Sequence, residues 1–426
     1  MFKIISLFSL KRIIIISLLF TSLTFLITYP LFFKLNKAIS GFHSTDEPSV
    51  WYFWWLKYAH SNNINHADCK YISYPFGEDY GGFDQIYPLW SWAKRQAAIN
   101  TNHSFSYNIE VISSFILSGL FAYMLMLLVL ADFKAAVFCG IIYAFSPYHF
   151  ARAWQHIGLT HIQWIPLYVY ALLKMRGVTG SAKKVTFLSL ALFLVASFDY
   201  YYLYFMLIAT FLFWTYSLTM DRSNGKRLTV NLISTAVLAG VVITIILWPL
   251  IKTRLLISQV KDISVWSLYR PFEDLFSQSA RPLSYFLPSS EHPILGWIAK
   301  GLVGTDIYGM SFTEHALYLG WTPLVLAFVA VRRWRSNRKS SRHRVTTLPE
   351  SNENFNIGFF VFLAVAAWLF SQPPWWDIFG LKIYMPSFFM YKILPMFRAY
   401  CRFGIVVMLA VAVLAGFGLK FFLERF

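Results

Sequence analysis

Long apolar runs recur along this chain and constrain it more than any other feature. About ten read as helical spans: 13–33, 107–131, 134–150, 159–173, 185–198, 200–218, 228–251, 315–331, 357–371 and 402–419. Such runs cross ~30 Å of hydrocarbon, where only helices or closed barrels satisfy every backbone polar group. Of 426 residues, 57% are hydrophobic and 13% charged, with a mean hydropathy of +0.52. That is too little charge to cover a soluble surface. The expected fold is an all-α polytopic membrane protein, one membrane domain over residues 1–426. The first run, Ile13 to Phe33, follows Lys3, Lys11 and Arg12. Its core is long and no small-x-small cleavage site follows, so it reads as a retained helix rather than a signal peptide.

The formal net charge of +17 would suggest a nucleic-acid partner in a soluble protein. Here its location argues otherwise. With an inside N-terminus, short inside loops carry KMRGVTGSAKK (174–184), DRSNGKR (221–227) and RRWRSNRKSSRHR (332–344). The outside loops are several times longer. This is the positive-inside asymmetry, and it makes the basic runs topology anchors. A cytoplasmic N-terminus and a cytoplasmic basic loop over 332–356 are expected, with no nucleic acid. The cysteines Cys69, Cys139 and Cys401 form no disulfide framework, although a bridge between Cys69 and Cys401 on the outer side stays open.

Three outer segments, 34–106, 252–314 and 372–401, hold most of the non-membrane sequence. In the first, SVWYFWWLKYAHS (49–61) and DQIYPLWSWAKRQAA (84–98) read as interfacial helices rich in Trp and Tyr. YPFGEDYGGFD (74–84) between them reads as a turn, with Glu78, Asp79 and Asp84 as solvated acids. The second segment and SQPPWWDIFGLKIYMPS (371–387) in the third are also aromatic and Pro-broken. Together they are expected to cap the outer mouth of a helix bundle.

Topology then gathers polar groups on that face. Asp46 and Glu47 lie in the first outer segment. Arg152, His156 and His161 lie at one outer turn, Asp199 at another, and Arg398 and Arg402 at the entry to the last span. This set suits chemistry on a lipid with an anionic headgroup. A partly desolvated carboxylate accepts a proton from a hydroxyl, arginines grip a phosphate bidentately, and aromatics such as Trp51 and Trp54 stack on sugar faces. Blander roles stand beside these. Asp-Glu-Pro also starts a helix, Asp199 also caps or turns, the histidines also serve as interfacial residues, and the arginines also snorkel.

In order, STDEPSVWYFWW, YPFG (74–77), FSPYHFARAWQH with HIQWIP, LSYFLPSSEHPILG (283–296) and FRAYCRF resemble the GT-C type of integral-membrane glycosyltransferase. The resemblance is to its bacterial YfhO-like group in particular. It implies a GT-C-like fold and an enzyme of the bacterial inner membrane. Such an enzyme moves a sugar from a polyprenyl-phosphate donor to an acceptor on the outer face, with inversion. It implies Asp46 as catalytic base with Glu47 as helper or alternative; by their position, Arg398, Arg402, Arg152 and His156 are candidates for the donor phosphate. A divalent cation held by Asp46, Glu47 and Asp199 remains open, as does the acceptor. Many members continue into further spans or an outer domain, whereas this sequence stops shortly after its last span, with LKFFLERF. The rival classes are a lipid or polysaccharide transporter and a non-catalytic envelope assembly protein. A transporter places its charges at midplane on broken helices, often with repeated halves. No phosphate-cradling Gly-Lys-Ser/Thr loop, GxSxG or zinc spacing occurs.

Overall fold

The computed structural model describes residues 10–41, 43–81, 84, 87–177, 181–257, 270–305, 308–309, 313–343 and 352–425, without the side chains of 43–48, 245–247, 249–257 and 338–343. From the N-terminus come α1 (Leu10–Ile27), α2 (His43–Ser61), α3 (Pro88–Asn100), α4 (His103–Leu130), α5 (Phe133–Ala144), α6 (Pro147–Gln155) and α7 (Trp164–Leu173). Then follow α8 (Ala182–Ala196), α9 (Tyr200–Met220), α10 (Arg222–Ile257), and the short α11 (Asp274–Ser277) and α12 (Gly296–Lys300). The last are α13 (Trp321–His343), α14 (Asn352–Ser371), α15 (Pro386–Ile393) and α16 (Gly404–Leu423).

Six helices among the described residues are long and apolar enough to cross a membrane: α1, α4, α9, α10 over Arg222–Thr244, α14, and α16 with its leading turn from Tyr400. The other four of the ten expected spans are shorter or broken. The run 134–150 divides into α5 and α6, because Pro147 has no N–H to continue the ladder and disfavours helix at Ser146. Ser146 instead caps α6, its hydroxyl accepting from the His149 N–H. At 1.5 Å per residue the two pieces rise about 18 and 14 Å, against ~30 Å of hydrocarbon. The runs 159–173 and 185–198 appear as α7 and α8, of 10 and 15 residues. The run 315–331 begins only at Trp321 and continues as α13 into the basic stretch.

Packing follows the apolar stripes. The α1 helix is peripheral: only Ile16, Phe20 and Thr24, four apart, are buried, while Leu10, Ile15, Leu18 and Leu26 are exposed. Phe20 seats it, filling the space that Gly119 of α4 and Gly140 of α5 leave open. A Cβ at either glycine would strike its ring. By contrast α16 is central, buried from Gly404 to Gly418, and it packs on α5, α13 and α14.

Two opposite faces emerge from the polar contacts. On one, Arg176 bonds Asp221 and Asn352, Lys420 pairs with Glu353 at 3.0 Å, and the Asn356 amide donates to the Val129 carbonyl. Lys174, Lys183, Lys184, Arg222, Lys226 and Arg227 belong to this basic face. The other face holds the N-terminal ends of α4, α7, α9 and α16. There the aromatic stretches form α2 and α3, which bury Phe53, Trp55, Leu56 and Ala98 against Tyr107, Val111 and Phe115 of α4. Buried Asn108 ties down the approach to α2. Its amide nitrogen donates to the Leu35 and Ala38 carbonyls, and its oxygen accepts from the Ser40 N–H.

Two small antiparallel sheets occur among the described residues. β1 (Asp68–Cys69) pairs with β2 (Glu78–Asp79), and β3 (Trp375–Ile378) pairs with β4 (Leu381–Tyr384). The second hairpin was read from sequence only as Pro-broken and aromatic. Its two-residue turn puts Phe379 and Gly380 at φ 53° and 84°, as a twisted hairpin of this length requires. All three cysteines are free and buried, so Cys69 and Cys401 form no bridge.

Candidate functional site

A buried carboxylate that sequence reading passed over organises the face bearing α2 and α3. Glu314, in the loop before α13, is 3% exposed. It accepts from Arg152 Nη2 of α6 at 2.7 Å and from Arg402 Nη2 at 2.7 Å, with Arg402 Nε at 3.2 Å completing a fork. The Cys401 thiol donates to it as well, at 3.1 Å. Tyr148, one turn before Arg152, lies under that guanidinium, and Tyr201 lies under that of Arg402. Burial opposes the charge on Glu314, but the two guanidinium groups outweigh it and hold the carboxyl well below the usual range. Arg152 is fully buried, and its Nε and Nη1 find no hydrogen-bond partner among the described residues. The Arg402 side chain is 16% exposed, so it alone of the three reaches the surface.

Two further residues expected at the site join this cluster. Asp199 is the N-cap of α9, its carboxylate accepting from the Tyr202 N–H at 2.9 Å. Burial raises it to about 6, against the opposing pull of that N–H and of Arg402 and Arg152. His156 ends α6. Its side chain is exposed, yet partial desolvation by the surrounding residues, reinforced by Arg152, lowers it to about 4. It is therefore a neutral ring at pH 7.

Other expected residues lie elsewhere. Arg398 pairs with Asp274 at 2.6 Å on a half-exposed surface, and its backbone N–H donates to the Tyr201 hydroxyl. His161 donates to Glu110 of α4 at 2.8 Å in a second buried cluster with Trp90 and Lys94. Trp51 stacks on Trp55 and touches Trp54, whose ring stacks on Tyr58 and stays 39% exposed. Asp46 and Glu47 fall in the first turn of α2, and their side chains lie outside the described residues. Among the described residues no group of three His, Cys, Asp or Glu converges as a metal ion would need. Asp84, read as a solvated acid, is instead half-buried and bonded to His66 at 2.6 Å. Burial pushes its carboxyl up, and the bonds from His66, Ser91 and Tyr52 bring it below the usual range.

The α6 helix also walls two apolar cavities with its other side. One of about 720 Å³ runs from Ile27 and Leu31 past Lys34 to Gly41, against Phe115, Phe150 and Trp154. Another of about 330 Å³ lies between Phe150, Trp154 and the Ser289–Pro293 loop. The larger ends where the chain turns into α2, a few residues short of Asp46.

No family model and no curated protein matches the sequence. Among solved structures the chain is similar to the archaeal oligosaccharyltransferase AglB from Archaeoglobus fulgidus in complex with an inhibitory peptide and a dolichol-phosphate. The TM-score is 0.49 and the identity 13%, over 98% of this chain and 50% of that one. This chain thus spans about half the length of that structure.

Proposed function

We propose that this membrane protein is a glycosyltransferase of the GT-C type. It would take its sugar from a polyprenyl-phosphate donor on the face opposite the basic loops. The observation that carries this reading is the guanidinium pair on Glu314. Two cations face Glu314 and Asp199, so one positive charge is in excess once Asp199 takes a proton, and Arg402 offers an accessible edge beside the uncommitted N–H groups of buried Arg152. Such a site attracts a phosphate. One helix away, the 720 Å³ groove offers an isoprenoid an apolar bed.

In this scheme the acceptor hydroxyl attacks the anomeric carbon and inverts it. Its proton passes to Asp46, or to Glu47, at the start of α2. The C–O bond to the phosphate breaks, and the polyprenyl phosphate leaves with its charge held by Arg402 and Arg152, His156 donating to an oxygen. Asn108 holds Leu35, Ala38 and Ser40 in the approach to α2, which supports a defined start for that helix. The basic face is then cytoplasmic, in a bacterial inner membrane.

The deciding experiment places the protein in proteoliposomes with radiolabelled sugar on polyprenyl phosphate. Transfer of label to lipid, glycan or peptide acceptors is expected. Movement of the donor across the bilayer without transfer would assign the chain to the transporters instead.

Asp199 makes phosphate binding depend on pH. A phosphodiester keeps one charge across the range, while Asp199, which faces Arg402, Arg152 and Tyr87, gains a proton as pH falls through about 6. Its negative charge then no longer competes for Arg402. Binding of a dialkyl phosphate is expected to tighten several-fold from pH 7.5 to 5.5, and Asp199→Asn should flatten the profile. Titration calorimetry in nanodiscs checks this.

A further inference from the structure

The second buried cluster surrounds a cavity of about 240 Å³ enclosed by α2, α3, α4, the start of α7 and the turn between α8 and α9. We propose that this cavity is a pocket for a single sugar ring. Its polar lining is charge-balanced. Glu110 Oε1 accepts from Trp90 Nε1 at 2.5 Å and from His161 Nε2 at 2.8 Å, while Oε2 faces Lys94 Nζ across 3.9 Å. The Gln163 amide nitrogen donates to His161 Nδ1 at 3.2 Å, which fixes the ring as the tautomer that donates to Glu110. These bonds leave Gln163 Oε1, an acceptor, and Trp164 Nε1, a donor, buried without partners among the described residues. Gln163 itself is 3% exposed.

A buried donor or acceptor left unmade costs ~1–3 kcal/mol. In a native structure such groups are completed by ordered water or by a ligand, and both residues line this cavity. The ligand must both donate and accept, which hydroxyl groups do. An anion is disfavoured by Glu110 and a cation by Lys94. The walls are aromatic: Trp90 lies under Lys94, and Phe198 packs on His161 and Trp164. Flat rings of this kind match the C–H face of a pyranose while the polar atoms match its rim. The volume lies below the ~300–1,000 Å³ of sites for larger ligands, so one ring fits and a chain of them does not.

The place of the pocket is informative too. Phe198 walls it, and the next residue, Asp199, faces Arg402. Tyr87 touches Trp90 on the pocket side and senses Asp199 and Arg402 on the other. A sugar held here sits beside the arginines that the proposed transfer assigns to phosphate. Only this placing rests on that reading; the pocket stands on its own lining.

The test uses the full chain in nanodiscs free of sugar-based detergent, with a panel of hexoses and N-acetylhexosamines. Concentrations reach about 100 mM, where even a ~10 mM site is filled. Saturation-transfer NMR and tryptophan fluorescence report binding in wild type, Gln163→Leu, Trp164→Phe and, as a control on the opposite face, Lys183→Gln. One sugar is expected to bind wild type and Lys183→Gln alike, and at least tenfold more weakly to Gln163→Leu and to the near-isosteric Trp164→Phe. No binding by any sugar, or equal binding in all four proteins, overturns the pocket. Binding as expected in a protein that transfers no sugar would leave the pocket standing and remove the transfer reading.

Discussion

Glu314→Leu is expected to be the most damaging single substitution in the described part of the chain, lowering stability by ~3–5 kcal/mol. The carboxylate is what allows Arg152, fully buried, to carry a charge there. Without it two guanidinium groups face each other in a low-dielectric interior, and only Arg402 can turn towards water. Thermal unfolding in detergent should show a large fall in midpoint for Glu314→Leu. Adding Arg152→Met should recover part of it, because the remaining Arg402 reaches solvent. A single mutant as stable as wild type would mean that the cluster contributes nothing to the fold. The pH dependence has a definite sign. The folded Glu314 carboxyl is depressed below its ordinary 4.5, so its contribution is complete above that value and fades as pH falls towards the folded-state pKa.

The second large effect is on transfer itself. Asp46→Asn or Glu47→Gln, whichever removes the base, should cut the rate of sugar transfer by ~100-fold or more while leaving donor binding and folding unchanged. The affected constant should be kcat, since proton acceptance matters in the transition state and not in donor binding. The two variants also separate the roles that the sequence leaves open. A helix-start role predicts a small loss of stability in both and full transfer. A base predicts full stability and lost transfer in one. Equal transfer by both variants and wild type would take the acidic pair out of the chemistry.

How far each residue's place was legible follows from the range of the forces that set it. Hydrophobic runs and the aromatic amphipathic stretches act over a few residues, so the helices could be read from them, whereas the break at Pro147 and the packing of α2 and α3 on α4 were not read. The gathering of Arg152, His156, Asp199 and Arg402 was also readable, since topology alone puts the ends of alternate spans at one depth. Glu314 was missed because it stands in a long loop with no periodicity, between Thr313 and His315. Glu110 was a plainer omission: an ionisable group inside a span is by default a candidate for function.

Partnership was out of reach of sequence. Arg398 and Arg402 are four residues apart and read as a pair, yet one meets Asp274 and the other Glu314. His156 and His161, five apart, part in the same way to the arginine cluster and to Glu110. The amino-acid order determined that this chain is a helical membrane protein with its polar chemistry at one face. Only the tertiary structure decided which charges share a buried environment. A charge in an apolar interior is governed by its nearest partner, and residues 162 positions apart become partners only when the helices have packed.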